Sequence, residues 1–370
     1  MGEDKNTGQV TFSDVAKHYL SSIFIYGTIL VIISFCPAYT NTIGNESFDY
    51  INFFVIYFLL YLLIAPAILF TLKPKSVLQS KSIAIMGYIK RQIIKSKSTK
   101  EFLQNIEPTE IEKQAFMTIF VKAFFGVYCV ITLCSRYLPN LGYNLDFLKV
   151  LFFDAEQFVA SGQTFAAGMS QFILDTSDVW LKLIFTVTTF VFAISYLTEL
   201  NIFKNKIKSV DTTPLGVLSC IICYYPVVIL TDKFIQITDN SLLPVANQRL
   251  LVILNVLAIF VNLIGMLAVL RLGTKSGNLT NRGIVNGFPY NIIRHPDYTM
   301  RMLYVIITAI PLYLMQGIRV YDTVYITAGI LVWIYIYYIR SITEERHLIK
   351  DPEYQQYTEK VKYRFIPKLF

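Results

Sequence analysis

Two stretches of this chain place ionisable residues in patterns that helix packing alone does not require. The first, Asn281 to Tyr298, reads N-R-G-I-V-N-G-F-P-Y-N-I-I-R-H-P-D-Y. Pro296 suits the first turn of a helix, so Arg294 and His295 fall where free N–H groups and the positive end of a helix dipole gather, a place to hold an anion. The second, Arg340 to Leu348, reads R-S-I-T-E-E-R-H-L and is followed by D-P-E-Y-Q-Q-Y-T-E-K-V-K-Y-R-F-I-P from Asp351 to Pro367. On a continuous helix Arg340 and Glu344 share a face, and Glu345 is turned from it by about 100°. Two adjacent carboxylates at a membrane surface could bind an ammonium group and hydroxyls. By charge pattern alone, an exposed, salt-bridged helix end describes them better. A short apolar hairpin separates the two stretches, and it returns the second to the side of the first, so the two charged clusters are expected to converge.

The elements that carry these stretches are apolar. Of 370 residues, 54% are hydrophobic and 16% charged, and the mean hydropathy is +0.50. This balance excludes an ordinary water-soluble enzyme, a disordered chain and a disulfide-knit secreted scaffold. The apolar residues gather in runs of about 20, enough to cross roughly 30 Å of hydrocarbon. Since only helices or closed barrels satisfy the backbone in lipid, and ten-residue alternation is absent, the fold class is an all-α polytopic membrane bundle. Eight spans are read, near Tyr19–Tyr39, Ile51–Leu72, Ala115–Leu138, Val179–Leu197, Leu215–Ile235, Leu250–Leu270, Tyr298–Gly317 and Tyr321–Ile339. Asp232 and Lys233 make the fifth the weakest. Lys and Arg crowd the segments Lys73–Glu112, Lys204–Lys208, Arg271–Arg294 and the tail after Arg340, and are missing from Thr40–Phe48. Positive charge marks the cytoplasmic side, which puts both termini there. The net charge of +8 is therefore topological and does not point to nucleic acid. The first apolar run exceeds a signal h-region and lacks a small-residue cleavage site, so it reads as a retained helix.

Other features read more plainly. Cys36, Cys129, Cys134, Cys220 and Cys223 lie within or beside apolar spans as small buried hydrophobes, and three separated histidines make a metal site improbable. In the basic loop, Ile85, Met86, Ile89 and Ile93 fall at helical spacing beside Lys90, Arg91 and Lys95; a solvated loop is the plain reading and a headgroup contact the sharper one. The segment Leu145–Leu174 predicts helices in the membrane interface. Asn255 and Asn262 share a helix face and are expected to hydrogen-bond between helices. Lys122 is placed to snorkel. Gly273-Thr274-Lys275-Ser276 resembles the end of a phosphate loop but has the wrong spacing for nucleotide triphosphates. The sequon at Asn45 decides nothing without the host.

The order R-H-P-x-Y, apolar hairpin, R-x-x-x-E-E-x-x-L and the Y-x-x-Y-x-x-x-V-x-Y-R-F-I-P tail resembles the isoprenylcysteine carboxyl methyltransferase family and its phospholipid methyltransferase relatives, over Gly273 to Pro367. The resemblance implies an integral membrane enzyme that binds S-adenosylmethionine at its cytoplasmic face and methylates a lipidic or prenylated acceptor from the bilayer, a carboxylate being the first expectation and a phospholipid amine or another amphiphile the open alternatives. It implies that Arg294, His295, Pro296 and Tyr298 shape the cofactor pocket, that Glu344 and Glu345 complete it, and that Arg340 orients the acceptor or pairs with Glu344. The first three spans have no counterpart in that family's compact core. The expected division is therefore an N-terminal module, 1–178, and a methyltransferase-like core, 179–370, with motifs at 273–298 and 340–367. Sterol reductases also carry R-H-P-x-Y and a similar tail but use NADPH, so a membrane oxidoreductase is the alternative, beside a non-catalytic protein that keeps the fold. A transporter is disfavoured, since charges at the bilayer midplane are essentially absent. Lys, Asn and Ile usage leans towards a bacterial inner membrane over the endoplasmic reticulum.

Overall fold

The computed structural model describes residues 11–35, 50–71, 80–95, 107–139, 165–199, 201–225, 227–228, 242–315 and 317–368. It is mostly helical, and among the described residues six helices are long and apolar enough to cross a membrane, as an integral multi-pass protein requires. Large apolar side chains such as Leu63, Phe260 and Leu331 remain exposed on them, as lipid-facing surfaces demand. The chain forms two compact units, 1–124 and 125–370. The expected division at 178/179 falls inside a helix.

The first unit holds α1 (Phe12–Phe35), α2 (Tyr50–Thr71), α3 (Lys81–Lys95) and the start of α4 (Glu110–Tyr137). The apolar stripe of α3 is occupied within the protein. Ile85 is buried with Ile25 of α1 and Ala115 of α4, with Met86 and Ile89 beside them, and only Ile93 of the four faces out. Ser22 donates to or accepts from Ser82 at 3.0 Å, and Arg91 pairs with Glu112 at 2.6 Å. The apolar face offered for headgroups is thus covered by helices. Cys36, the Thr40–Phe48 loop, the sequon, and Lys73, Lys75, Lys97 and Lys100 lie outside the described residues.

α4 is interrupted by two π turns, Lys122–Gly126 and Leu133–Tyr137, on either side of Val127–Thr132. The second unit continues with α5 (Phe165–Leu197), α6 (Pro214–Ile221), α7 (Gln248–Leu272), α8 (Pro296–Tyr313), α9 (Val320–Leu348) and α10 (Pro352–Lys360). α5 starts fourteen residues before the span read from sequence. Its early polar residues are satisfied along the helix, Asp178 with Lys182 at 2.7 Å and Gln171 with Asp175 at 2.8 Å, so 165–174 is helix continuous with the span. Residues 145–164 lie outside the described residues, as does most of 226–241 in the fifth span. α8, at the seventh span, is 18 residues long and carries an Asp297–Arg301 pair at 3.1 Å in its opening turns.

Asn255 and Asn262 correct an expectation. Each amide donates to a carbonyl of α7 itself, Leu251 O at 3.0 Å and Ala258 O at 2.8 Å, and among the described residues neither bonds to another helix. A short side chain one turn from a carbonyl reaches that carbonyl before it reaches a neighbouring helix.

Leu181, Leu254, Ala258, Val261, Tyr304 and Ile307 join α5, α7 and α8, and Val305, Ala309, Ile326, Trp333 and Tyr337 join α8 to α9. Gly273 ends α7 at φ 54°, a left-handed value that a side chain resists, and frees the chain to turn into the charged loop. There Thr280–Asn281 (β2) pairs antiparallel with Ser209–Val210 (β1), Ser209 opposite Asn281. This two-residue ladder ties the loop after α5 to the loop before α8.

Candidate functional site

α8 begins at Pro296, and His295 stands immediately before it. The chain's tail runs alongside: Arg294 N–H donates to Tyr363 O at 2.9 Å, His295 N–H to Arg364 O at 3.1 Å, and Thr299 Oγ1 to the carbonyls of His295 and Phe365. Tyr357 of α10 closes the arrangement with a 2.7 Å bond to Tyr290 O. Thus R-H-P-x-Y and Y-R-F-I-P, 60 to 70 residues apart in sequence, are one structural unit.

Glu345 is its hub. Its carboxylate lies 3.0 Å from Arg294 Nε, 2.9 Å from His295 Nε2 and 2.6 Å from Arg364 Nη2. Its hydrogen bond holds the Arg364 guanidinium above its ordinary pKa, against the opposing effect of burial, so the pair stays ionised. Asp351, the N-cap of α10, makes a second junction. It accepts from Glu353 N at 3.0 Å and Asn281 Nδ2 at 2.8 Å and pairs with Lys208 at 3.2 Å. Burial alone would raise the Asp351 carboxyl; these three donors outweigh it and hold the group below its usual range.

Between these junctions and the helices lies a cavity of about 290 Å³, the lower end of the size of small-molecule sites. Arg294, His295, Tyr298, Arg340 and Glu344 line it. Deeper, it is walled by Tyr128 and Thr132 of α4, Phe185 and Thr188 of α5, and Tyr224. The two glutamates therefore part company. Glu344 faces the cavity, its side chain 40% exposed, accepting from Tyr298 OH at 2.8 Å and standing 3.7 Å from His295 Nδ1. Glu345 is not a wall of it, and neither is Pro296, which fixes the start of α8.

Arg340 is only 6% exposed. It lies one turn from Glu344, yet no ion pair joins them or links Arg340 to any described carboxylate. Its Nη2 donates to Asn278 Oδ1 at 2.8 Å, its guanidinium lies 5.0 Å from the Tyr298 ring and 5.7 Å from Tyr337, and its Nε–H has no acceptor. A charge buried this way is costly unless something pairs with it. Asn278, which sequence reasoning missed, sets its position. The Asn278 backbone N–H donates to Tyr196 OH at 2.7 Å and its Nδ2 to Tyr224 OH at 2.8 Å, so partners from three separate parts of the chain fix this residue.

The cavity thus presents a buried guanidinium without a counter-ion and, one turn along, a partly exposed carboxylate. It can receive a ligand with an acid at one end and donors at the other. No family model, curated protein or solved structure matches the chain.

Proposed function

We propose that this chain is a membrane methyltransferase that uses S-adenosylmethionine and acts on a carboxylate of a lipidic or prenylated acceptor, as the isoprenylcysteine carboxyl methyltransferases it resembles do. The observation that carries this reading is the uncancelled pair on one face of α9, Glu344 open to the cavity and Arg340 buried without a counter-ion. S-adenosylmethionine fits the donor set: Glu344 accepts from its ammonium or ribose hydroxyls, with Tyr298 and His295 beside it. When bound, it supplies a methyl group made electrophilic by a sulfonium. Arg340 holds the acceptor carboxylate through its free Nε–H, and Asn278 keeps the guanidinium in place. A carboxylate is already a nucleophile, so the chain supplies no base. It supplies alignment, and its buried tyrosines keep water away.

The reading includes topology. The chain crosses eight times with both termini cytoplasmic, in a bacterial inner membrane, with the site on the cytoplasmic side. The 18 residues of α8, about 27 Å of helix, with Asp297 and Arg301 paired at one end, support a seventh crossing.

The test is transfer of a radiolabelled methyl group from S-adenosylmethionine to carboxylate amphiphiles, a farnesylated cysteine and a fatty acid, and to their carboxamides. Label that base releases as methanol from a carboxylate only, and that Arg340→Gln loses, supports the reading. Equal labelling of carboxamides, or none at all, contradicts it.

A further inference from the structure

The cavity holds more positive charge than the proposed reaction requires. Arg294 pairs with Glu345 and Arg301 with Asp297, but Lys275, Arg282 and Arg340 line the cavity with no described carboxylate at ion-pair distance. Against these three stands Glu344. S-adenosylmethionine brings one carboxylate with an ammonium and a sulfonium, so it adds positive charge, and an acceptor carboxylate at Arg340 offsets only one cation. Lys275 and Arg282 keep no described carboxylate at ion-pair distance, with Glu199 acting on Arg282 from farther off.

These two belong to one loop that lines the cavity. Arg282 is 3% exposed, and its Nη1 is spent on backbone carbonyls, Ser195 O at 2.8 Å and Asn205 O at 3.2 Å, while Nε and Nη2 have no acceptor. It is a fixed, buried charge in the cavity wall. Gly283 follows at φ 98°, and a Cβ there would sit 3.2 Å from Lys275 Nζ and 3.9 Å from Lys208 Nζ. Two ammonium groups therefore converge over one glycine. Lys208 pairs with two carboxylates, Asp351 at 3.2 Å and Glu353 at 3.0 Å, whereas Lys275 has no described carboxylate at ion-pair distance. The Lys275 ammonium and the Arg282 Nε and Nη2 groups have no anionic partner at ion-pair distance among the described residues.

We propose that Lys275, backed by Arg282 and Gly283, binds a phosphate group at this loop of the cavity wall. The inference rests on the cavity being the ligand site, and it adds to the methyl-transfer reading a second, phosphorylated moiety: an acceptor headgroup or a free nucleotide. Lys275 makes the contact, Arg282 supplies the field, and Gly283 leaves the room a side chain would fill.

The test is calorimetric titration of inorganic pyrophosphate into the full-length protein in detergent, with S-adenosylhomocysteine titrated in parallel. Pyrophosphate is expected to bind, to weaken with salt, to lose at least about tenfold in Lys275→Gln and to recover in Lys275→Arg, with S-adenosylhomocysteine binding unchanged in both. No pyrophosphate binding, or equal binding by Lys275→Gln, overturns the proposal. Pyrophosphate binding that needs Lys275 while S-adenosylhomocysteine fails to bind upholds the site and removes the methyltransferase reading. Competition separates the sources: displacement by phosphatidic acid in nanodiscs indicates a headgroup and displacement by NADPH a nucleotide. Displacement by neither marks an adventitious anion and overturns the proposal.

Discussion

Glu344 and Glu345 are neighbours in sequence with different tasks, because a helix turns about 100° per residue. Glu345 is a structural junction for three basic groups. Glu345→Gln leaves them facing one another and is expected to cost about 3 kcal/mol, read as a lower thermal midpoint in detergent. An unchanged midpoint would refute the junction. Arg340→Gln is expected to leave the fold and S-adenosylhomocysteine binding intact and to lower carboxylate turnover at least about 100-fold, the loss expected when a buried charge pair is truncated. Equal loss of cofactor affinity would assign Arg340 to the cofactor instead. Arg294, His295, Arg340 and the two glutamates stand out in sequence because charge is rare beside apolar spans, Tyr298 stands out only through the R-H-P-x-Y motif, and their roles in a cofactor pocket rest on the resemblance. The division of labour between the glutamates follows from helix rotation, but it needs the position of Arg364 to become visible. Asn278 had no signal at all, since its partners Tyr196, Tyr224 and Arg340 lie 54 to 82 residues away.

At the scale of elements, the tail is bound to the start of α8 by backbone bonds at residues 294–295 and 363–364. Ending the chain at Lys362 removes those bonds together with Arg364, and is expected to abolish S-adenosylhomocysteine binding; retained affinity would show the tail to be dispensable. The Asp351 junction sets an acid limit. Its pKa is held below the unfolded value, so its stabilisation is full above the usual carboxylate range and is lost as pH falls through the depressed folded value. Asp351→Asn keeps the cap on α10 but removes the titration, so thermal midpoints between pH 5 and pH 3, roughly the carboxylate range, should fall less steeply than in the wild type. An identical slope would place the acid sensitivity elsewhere. The amphipathic pattern of α3 was plain in sequence. Which surface its apolar stripe meets was not, because lipid and the apolar faces of α1 and α4 attract it alike.

At the scale of the molecule, hydropathy made the membrane class and six long helices legible, since the cost of unsatisfied backbone in lipid leaves few alternatives. The sixth span matches α7 to within two residues at each end, and the eighth lies within α9, which runs on to Leu348. The start of α5 was obscured because Asp175, Asp178 and Lys182 look like a loop until their helical spacing pairs them. The compact units meet at 124/125, inside the first π turn of α4, a place that hydropathy does not mark. The central claim is that the cavity of the second unit takes S-adenosylmethionine, and its most direct test is calorimetry of S-adenosylhomocysteine against the detergent-purified protein and its Glu344→Gln variant, with NADPH as comparison. Micromolar binding of S-adenosylhomocysteine that falls at least about tenfold in Glu344→Gln is the predicted result. Binding of NADPH alone, or S-adenosylhomocysteine binding indifferent to Glu344, would contradict it.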